Sequence, residues 1–189
     1  MDPGWAGMDE DQDAIGRVLD GDVESFRVLV QRYQRQLHRL IRNLVPDAHD
    51  GEDIAQEVFL IAYRRLASYD SAQGAFSTWL LTIARNKCFS ALKKRRPVLL
   101  HPLPETPMLR TPEAELTEAE WFHSLDSALN ALPFAQKTVF VLAEIQELSL
   151  EEIARIEGVP LGTVKSRLGR AKEKLRSLLC LEEQPDVRP

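Results

Sequence analysis

The sequence predicts an all-α protein: two small helical domains joined by a proline-rich linker. Apolar residues recur at threes and fours in both halves of the 189-residue chain, the period of a helix with one buried face. Neither half shows the alternating Val/Ile/Thr pattern of strands. Between them, Pro97, Pro102, Pro104, Pro107 and Pro112 fall within sixteen residues, each lacking a backbone donor and resisting helix. That stretch, residues 97–118, is long for a loop inside one domain and reads as an extended, semi-rigid linker.

The acidic start, residues 1–13, is expected to be disordered. A short helix begins at Ala14 and breaks at Gly21. From Val23 to Val45, Phe26, Leu29, Val30, Tyr33, Leu37, Leu40, Ile41 and Leu44 form one stripe of a long amphipathic helix, which Pro46 stops. A third helix runs from about Gly51 to Ala67, with Ile54, Ala55, Val58, Phe59, Ala62 and Leu66 inside. Asp53, Gln56, Glu57, Leu60 and Arg64 lie on its other side. A turn-rich stretch, residues 68–74, leads to a fourth helix, Phe76–Lys94, which buries Trp79, Leu80, Ile83 and Ala84. In the second half, Glu118–Leu132 is helical, and Pro133 suits the first turn of the helix Phe134–Gln146. Ser149 and Glu152 form a capping box. Gly158 supplies a tight turn, and from Pro160 a helix repeats Val164, Leu168, Ala171, Leu175 and Leu178. A short capped helix, a glycine turn and a basic amphipathic helix read as a helix-turn-helix. A tail follows residue 181.

The formal net charge of -5 excludes a uniformly basic, histone-like binder. The charge is segmented: residues 1–13 carry five acids and no base, whereas Arg85, Lys87, Lys93, Lys94, Arg95 and Arg96 stand in twelve residues without an acid. A second cluster, Lys165, Arg167, Arg170, Lys172, Lys174 and Arg176, contains only Glu173 as an acid. Two such patches fit two polyanion contacts or two solvated helix faces. No apolar run approaches the about 20 residues needed to span a bilayer, so no membrane insertion is expected. The acidic N-terminus is the reverse of a signal peptide, which together with two isolated cysteines, Cys88 and Cys180, predicts a reducing, cytoplasmic setting.

The chemistry is that of binding. On the helix from Pro160, Thr163, Lys165, Ser166, Arg167 and Arg170 stand off the apolar stripe and suit base edges in a major groove, while Lys174 lies further along and suits phosphate. Tyr69, Phe76 and Trp79 flank a glycine-containing loop beside Arg85, Asn86 and Lys87, a combination that suits unstacked bases. Trp79 falls on the apolar stripe and is expected in the core; Tyr69 and Phe76 fit either core or platform. No nucleophile–base pair, phosphate loop or metal-ligand spacing emerges, so neither an enzyme, a cofactor nor a metal is expected.

Together these segments resemble a bacterial RNA polymerase sigma factor of the extracytoplasmic-function (ECF) class of the sigma-70 superfamily. Asp50-Gly-Glu-Asp-Ile-Ala-Gln-Glu-Val-Phe59 is similar to the family's core-binding helix, and Gly74-Ala-Phe-Ser-Thr-Trp-Leu80 with Ile83-Ala-Arg-Asn86 to its promoter-melting and minus-ten segment. Leu148–Ala154 and Gly158–Arg167 are similar to its minus-thirty-five reader. The resemblance implies a sigma-2-like domain over residues 14–96 and a sigma-4-like domain over 119–181. It implies docking of Asp53, Gln56, Glu57, Leu60 and Arg64 on the β′ clamp helices of core RNA polymerase, with a further contact to the β flap. Tyr69, Asp70, Gln73, Gly74, Phe76, Arg85, Asn86, Lys87, Lys93 and Lys94 would meet the minus-ten element. Control by an anti-sigma protein is the family-level expectation. Two other readings compete: a stand-alone helix-turn-helix regulator, which binds its operator without polymerase, and a helical adaptor, which binds no DNA.

Overall fold

The computed structural model describes residues 6–95 and 118–179, and among these no strand occurs. The expected linker, except Glu118, and the tail from residue 182 lie outside the described residues.

Helix α1 spans Ala6–Leu19, so it starts eight residues before the expected Ala14, and the expectation of disorder is corrected for residues 6–13. An acidic run with no base nearby reads as solvated, but the second helix supplies its partners. Asp11, only 4% exposed, accepts a hydrogen bond from Arg32 Nη1 at 2.6 Å and another from the Tyr33 hydroxyl. Glu10 also pairs with Arg32. Burial, followed by the adjoining Asp11 carboxylate, pushes the Tyr33 phenol above its ordinary value.

Helix α2 (Phe26–Leu44) ends because Val45 precedes Pro46 and is extended, at φ -113° and ψ 118°. Helix α3 (Ala48–Arg64) starts three residues before the expected Gly51, since the Asp47 carboxylate caps it by accepting from the amides of His49 and Asp50. Helix α4 runs from Phe76 to Arg95. In the second half, α5 (Glu118–Asn130) leads to α6 (Phe134–Phe140), which continues as a π-helical turn over Val141–Ile145. The predicted single helix Phe134–Gln146 is thus wound two ways, with the Gln146 amide donating to the Val141 carbonyl five residues back. Helix α7 (Leu150–Glu157) carries the predicted capping box at Ser149 and Glu152. It closes on Gly158 at φ 64°, a conformation that glycine adopts without a Cβ penalty. Helix α8 spans Leu161–Leu179.

The two halves share their larger core. Leu80, Leu81, Ala84 and Cys88 of α4 join Leu37, Leu40 and Ile41 on one side and Val139, Leu142, Ile153 and Ile156 on the other. A smaller cluster of Ala128, Leu129, Leu132, Ala171, Leu175 and Leu179 ties α5 to α8. On α8 the buried stripe closes at Leu179, with the expected Leu178 only half-buried beside it.

Polar bonds reinforce the shared core. Gln146 Nε2 donates to the Gln36 carbonyl at 3.2 Å. Lys137 of α6, 5% exposed, donates from Nζ to the Leu44 carbonyl at 3.3 Å and to Asn130 Oδ1 at 2.8 Å.

Burial lowers the Lys137 ammonium from 10.5 to about 8, with Asp126 and Cys88 partly opposing the shift. The folded chain therefore releases this proton first, and stability rises with pH while the unfolded chain still holds it, from about pH 8 to 10.5. Cys88 works against this above pH 9, because burial pushes its thiol from 9.0 up to about 12. Comparison with Lys137→Met isolates the lysine. Between pH 7 and pH 10, wild type should gain on the order of 2–3 kcal/mol over the variant in urea unfolding. Parallel curves for the two proteins would show that Lys137 is solvated.

Candidate nucleic-acid and protein interfaces

The predicted face of α3 is free of the core: Asp53, Gln56, Glu57, Leu60 and Arg64 are all exposed. Leu60 is 47% exposed, and it borders an open apolar groove of about 540 Å³ formed with Val23, Phe26, Val30, Phe59 and Tyr63. The groove was not predicted, because it is assembled by the turn before α2, the first turns of α2, and α3 together. Its sequence signal is Val23, an apolar residue outside the α2 stripe. Glu57 also forms an ion pair with Lys87, linking this face to α4.

The stretch before α4 is ordered by its own polar groups. The Asp70 carboxylate accepts from the Ala72 amide at 3.0 Å and from Gln73 Nε2 at 3.0 Å. The bond from Gln73, then that from Ala72, holds Asp70 below its usual value. The Tyr69 hydroxyl donates to the Gly74 carbonyl at 3.0 Å, and Gly74 takes φ 147°, where a side chain would be strained. Beside them lies a cavity of about 290 Å³, walled by Tyr69, Asp70, Gln73, Gly74 and Trp79 and, from α7, by Arg155.

Phe76 is not a stacking platform. It is 1% exposed, with the rings of Tyr33, Tyr69 and Trp79 packed 5.4–5.6 Å from its centroid. The expectation of Phe76 as a base-contacting residue is corrected on that ground: the helix start turns it inward beside Leu80. Tyr69 and Trp79 are half-buried, each presenting part of its ring at the cavity wall. Asn86, Lys93 and Lys94 are exposed along the outer side of α4.

On α8, Lys165, Ser166, Arg170 and Lys174 are exposed and Thr163 is half-buried. The Ser166 hydroxyl donates to the Thr163 carbonyl at 3.1 Å. Arg167 does not point to solvent; its Nη1 donates to Glu157 Oε2 at 2.8 Å. The same carboxylate accepts from Arg85 Nε at 2.8 Å on Oε1 and from Arg85 Nη2 at 3.4 Å on Oε2. The Glu157 side chain has no exposure. Arg85 also lies over the rings of Phe89 and Phe134, 5.6 and 5.5 Å from their centroids. The structure thus brings Arg85 and Arg167, predicted for separate DNA contacts, onto one acid, Glu157, that the sequence analysis does not single out. The signal was present: Glu157 follows Ile153 by four positions and so falls on the buried stripe of α7.

Among the described residues, no three His, Cys, Asp or Glu side chains are placed to hold a metal, and no helix is long and apolar enough to cross a membrane.

The sequence and its helical fold match known proteins. The Sigma-70 region 2 family matches residues 29–98, and the Sigma-70, region 4 family matches residues 122–175. The ECF RNA polymerase sigma factor SigW of Bacillus subtilis is 34% identical over 177 residues, covering 87% of this chain and 94% of that protein. The chain belongs to the ECF sigma factors. The RNA polymerase sigma-H factor of Pseudomonas aeruginosa is 33% identical over 91% of this ECF sigma factor and 95% of its own length. The ECF RNA polymerase sigma-E factor of Haemophilus influenzae is 35% identical over 88% and 94%. Among solved structures, CnrH in complex with the cytosolic domain of CnrY superposes with a TM-score of 0.70 at 25% identity, covering 92% of this chain and 99% of that one. The fold is shared too with the sigma factor RpoE of Bartonella quintana, at a TM-score of 0.67 and 24% identity over 85% and 99%. In this ECF sigma factor, then, α3, α4 and all but the first turn of α2 fall within the region 2 match, and the region 4 match takes in α7 and α8 as far as Leu175.

The burial of Phe76 sets an expectation. Phe76→Ala should lower unfolding free energy by about 3–5 kcal/mol, whereas Asn86→Ala should change it by less than about 0.5 kcal/mol. Urea denaturation followed by helical circular dichroism reads both, and a near-neutral Phe76→Ala would return this ring to the surface.

Proposed function

We propose that this alternative sigma factor directs bacterial core RNA polymerase to a promoter set by three contacts, one for each surface above, and acts in the cytoplasm where polymerase works. The α3 face of Asp53, Gln56, Glu57, Leu60 and Arg64 docks on the β′ clamp helices, and the second half meets the β flap. The stretch Tyr69–Gly74, with Asn86, Lys87, Lys93 and Lys94, receives minus-ten bases of the opened non-template strand. Helix α8 reads the minus-thirty-five duplex through Thr163, Lys165, Ser166, Arg167 and Arg170, and Lys174 meets phosphate. The protein supplies recognition and strand opening; the polymerase supplies catalysis. The observation that carries this reading is the pocket beside Tyr69, Asp70 and Gly74 on the same helical unit as the exposed α3 face. A stand-alone regulator needs neither.

An anti-sigma protein is the expected partner of the free chain. The apolar groove beside Leu60 offers it a seat, and the shared fold with CnrH, solved bound to the cytosolic domain of CnrY, supports such a complex.

The test is run-off transcription with core polymerase on genomic promoter fragments. Product that needs both core and this chain is expected. Tight operator binding without core, and no stimulation of transcription, would favour the stand-alone regulator.

Two variants divide the contacts. Arg170→Ala should weaken holoenzyme binding by roughly 1–3 kcal/mol and relax one base position, whereas Lys174→Ala should weaken all sequences alike and flatten the salt slope by about one. Electrophoretic titration at several salt concentrations reads both, and unchanged affinity in both variants would remove α8 from the duplex.

Asp70→Ala removes the acceptor that orders the loop, so it should act at opening. Core binding and the closed complex should persist, run-off from duplex promoter should fall by about tenfold, a barrier increase of about 1.4 kcal/mol, and a pre-opened mismatch bubble should restore most of it. Permanganate reactivity of promoter thymines checks the step directly; normal opening would place melting elsewhere.

A further inference from the structure

We propose that Glu157 is a latch: a carboxylate shared by Arg85 of the minus-ten helix and Arg167 of the minus-thirty-five helix that holds the free chain in a state unable to engage promoter DNA. This inference rests on the reading of α4 and α8 as promoter contacts.

Two independent observations carry it. The first is the buried triad. Glu157 Oε1 and Oε2 accept from Arg85 Nε at 2.8 Å and from Arg167 Nη1 at 2.8 Å, while the carboxylate has no exposure and the two arginines keep 20% and 26%. A carboxylate removed from water in this way is tolerated only while its cations remain, so the triad favours its own closed geometry. The closed geometry also turns Arg85 and Arg167 inward, so neither is offered to a phosphate or a base.

The second observation lies in the same last turn of α7. Arg155, two residues before Glu157, reaches across to the Tyr69–Gly74 cavity and forms part of its wall, its Nη1 3.6 Å from where a Cβ on Gly74 would stand. One helix of the second half therefore holds the cation of the minus-ten helix and walls one side of the pocket that an extruded base would enter. The docking face on α3 stays exposed throughout. Core polymerase can thus bind the latched chain, and separation of α7 from α4 must precede contact with both promoter elements.

A protein whose competent state is a minor fraction binds more weakly by that fraction. Glu157→Gln keeps the shape and removes the charge, leaving both guanidinium groups without their counter-ion. The experiment compares wild type and Glu157→Gln as full-length free chains, by small-angle scattering and by fluorescence anisotropy with a forked promoter probe carrying a single-stranded minus-ten segment. Both chains are then measured again as holoenzyme with core polymerase. The expected result is a compact wild type, a larger radius of gyration for the variant, and a gain of about tenfold or more in free-chain affinity for the probe. Holoenzyme affinities should agree within about twofold, since engagement of both halves by core has opened both chains before DNA is met.

A wild-type chain with the dimensions of two separated halves would overturn the latch without any variant. So would a variant unchanged in dimensions and affinity, or one that loses helical circular dichroism and so shows Glu157 to be a folding element. Failure of wild-type holoenzyme to initiate at any promoter would instead overturn the sigma-factor roles of α4 and α8, and is read in the same run-off assay.

Discussion

Helix α4 is buried from two sides at once, and the rest of the molecule is arranged around that constraint. It packs against α2 and α3 along one flank and against α7 along another. Phe76, Leu80, Leu81, Ala84 and Cys88 are each no more than 1% exposed. A helix of 20 residues so covered keeps only a narrow strip for polar work, and Asn86, Lys93 and Lys94 occupy it. The apolar flank toward α7 also explains why the larger core does not stop at the boundary between the halves. Each half brings a surface that closes poorly alone, and the association removes both from water.

Electrostatics follows the same geometry. The chain is acidic overall, yet its bases cluster on α4 and α8. Within the fold, several of those cations are answered by the protein's own carboxylates: Lys87 by Glu57, Lys172 by Glu144, and Arg85 and Arg167 by Glu157. A phosphate that approached these cations would compete with internal partners rather than with water and salt alone. The exposed pairs among these are weak and exchange readily. The Glu157 triad differs because its carboxylate is wholly covered.

What could be read from the chain was what its physics keeps local. Ser149 and Glu152 satisfy each other across three residues, Gly158 needs only its own backbone freedom, and Pro46 stops α2 by acting on its immediate neighbour. The apolar stripes of α2, α3 and α8 were legible for the same reason. What failed to show depended on groups distant in sequence. Asp11 reads as a solvated acid in its own segment, because its partners Arg32 and Tyr33 lie on the next long helix. Lys137 has no signal in its own segment, because the Leu44 carbonyl that receives it is 93 positions away. Glu157 and Arg85 are separated by 72 positions, so the periodicity that places Glu157 on a buried stripe names no partner for it. Of the candidate site, the exposed positions on α3 and α8 were found by periodicity. Phe76 was left open between core and surface because one aromatic at a helix start fits both.

Cys88 carries a chemical consequence of the shared core. Its sulfur has no exposure, and burial keeps it a thiol far above neutrality, whereas oxidants and electrophiles attack the thiolate. While the two halves remain packed, this sulfur is shielded from peroxide, from disulfide exchange and from alkylation, so its reactivity reports the opening of the core and not the redox state of the cell. The residue fills space between helices, and the protein can pass through an oxidative episode without this cysteine recording it.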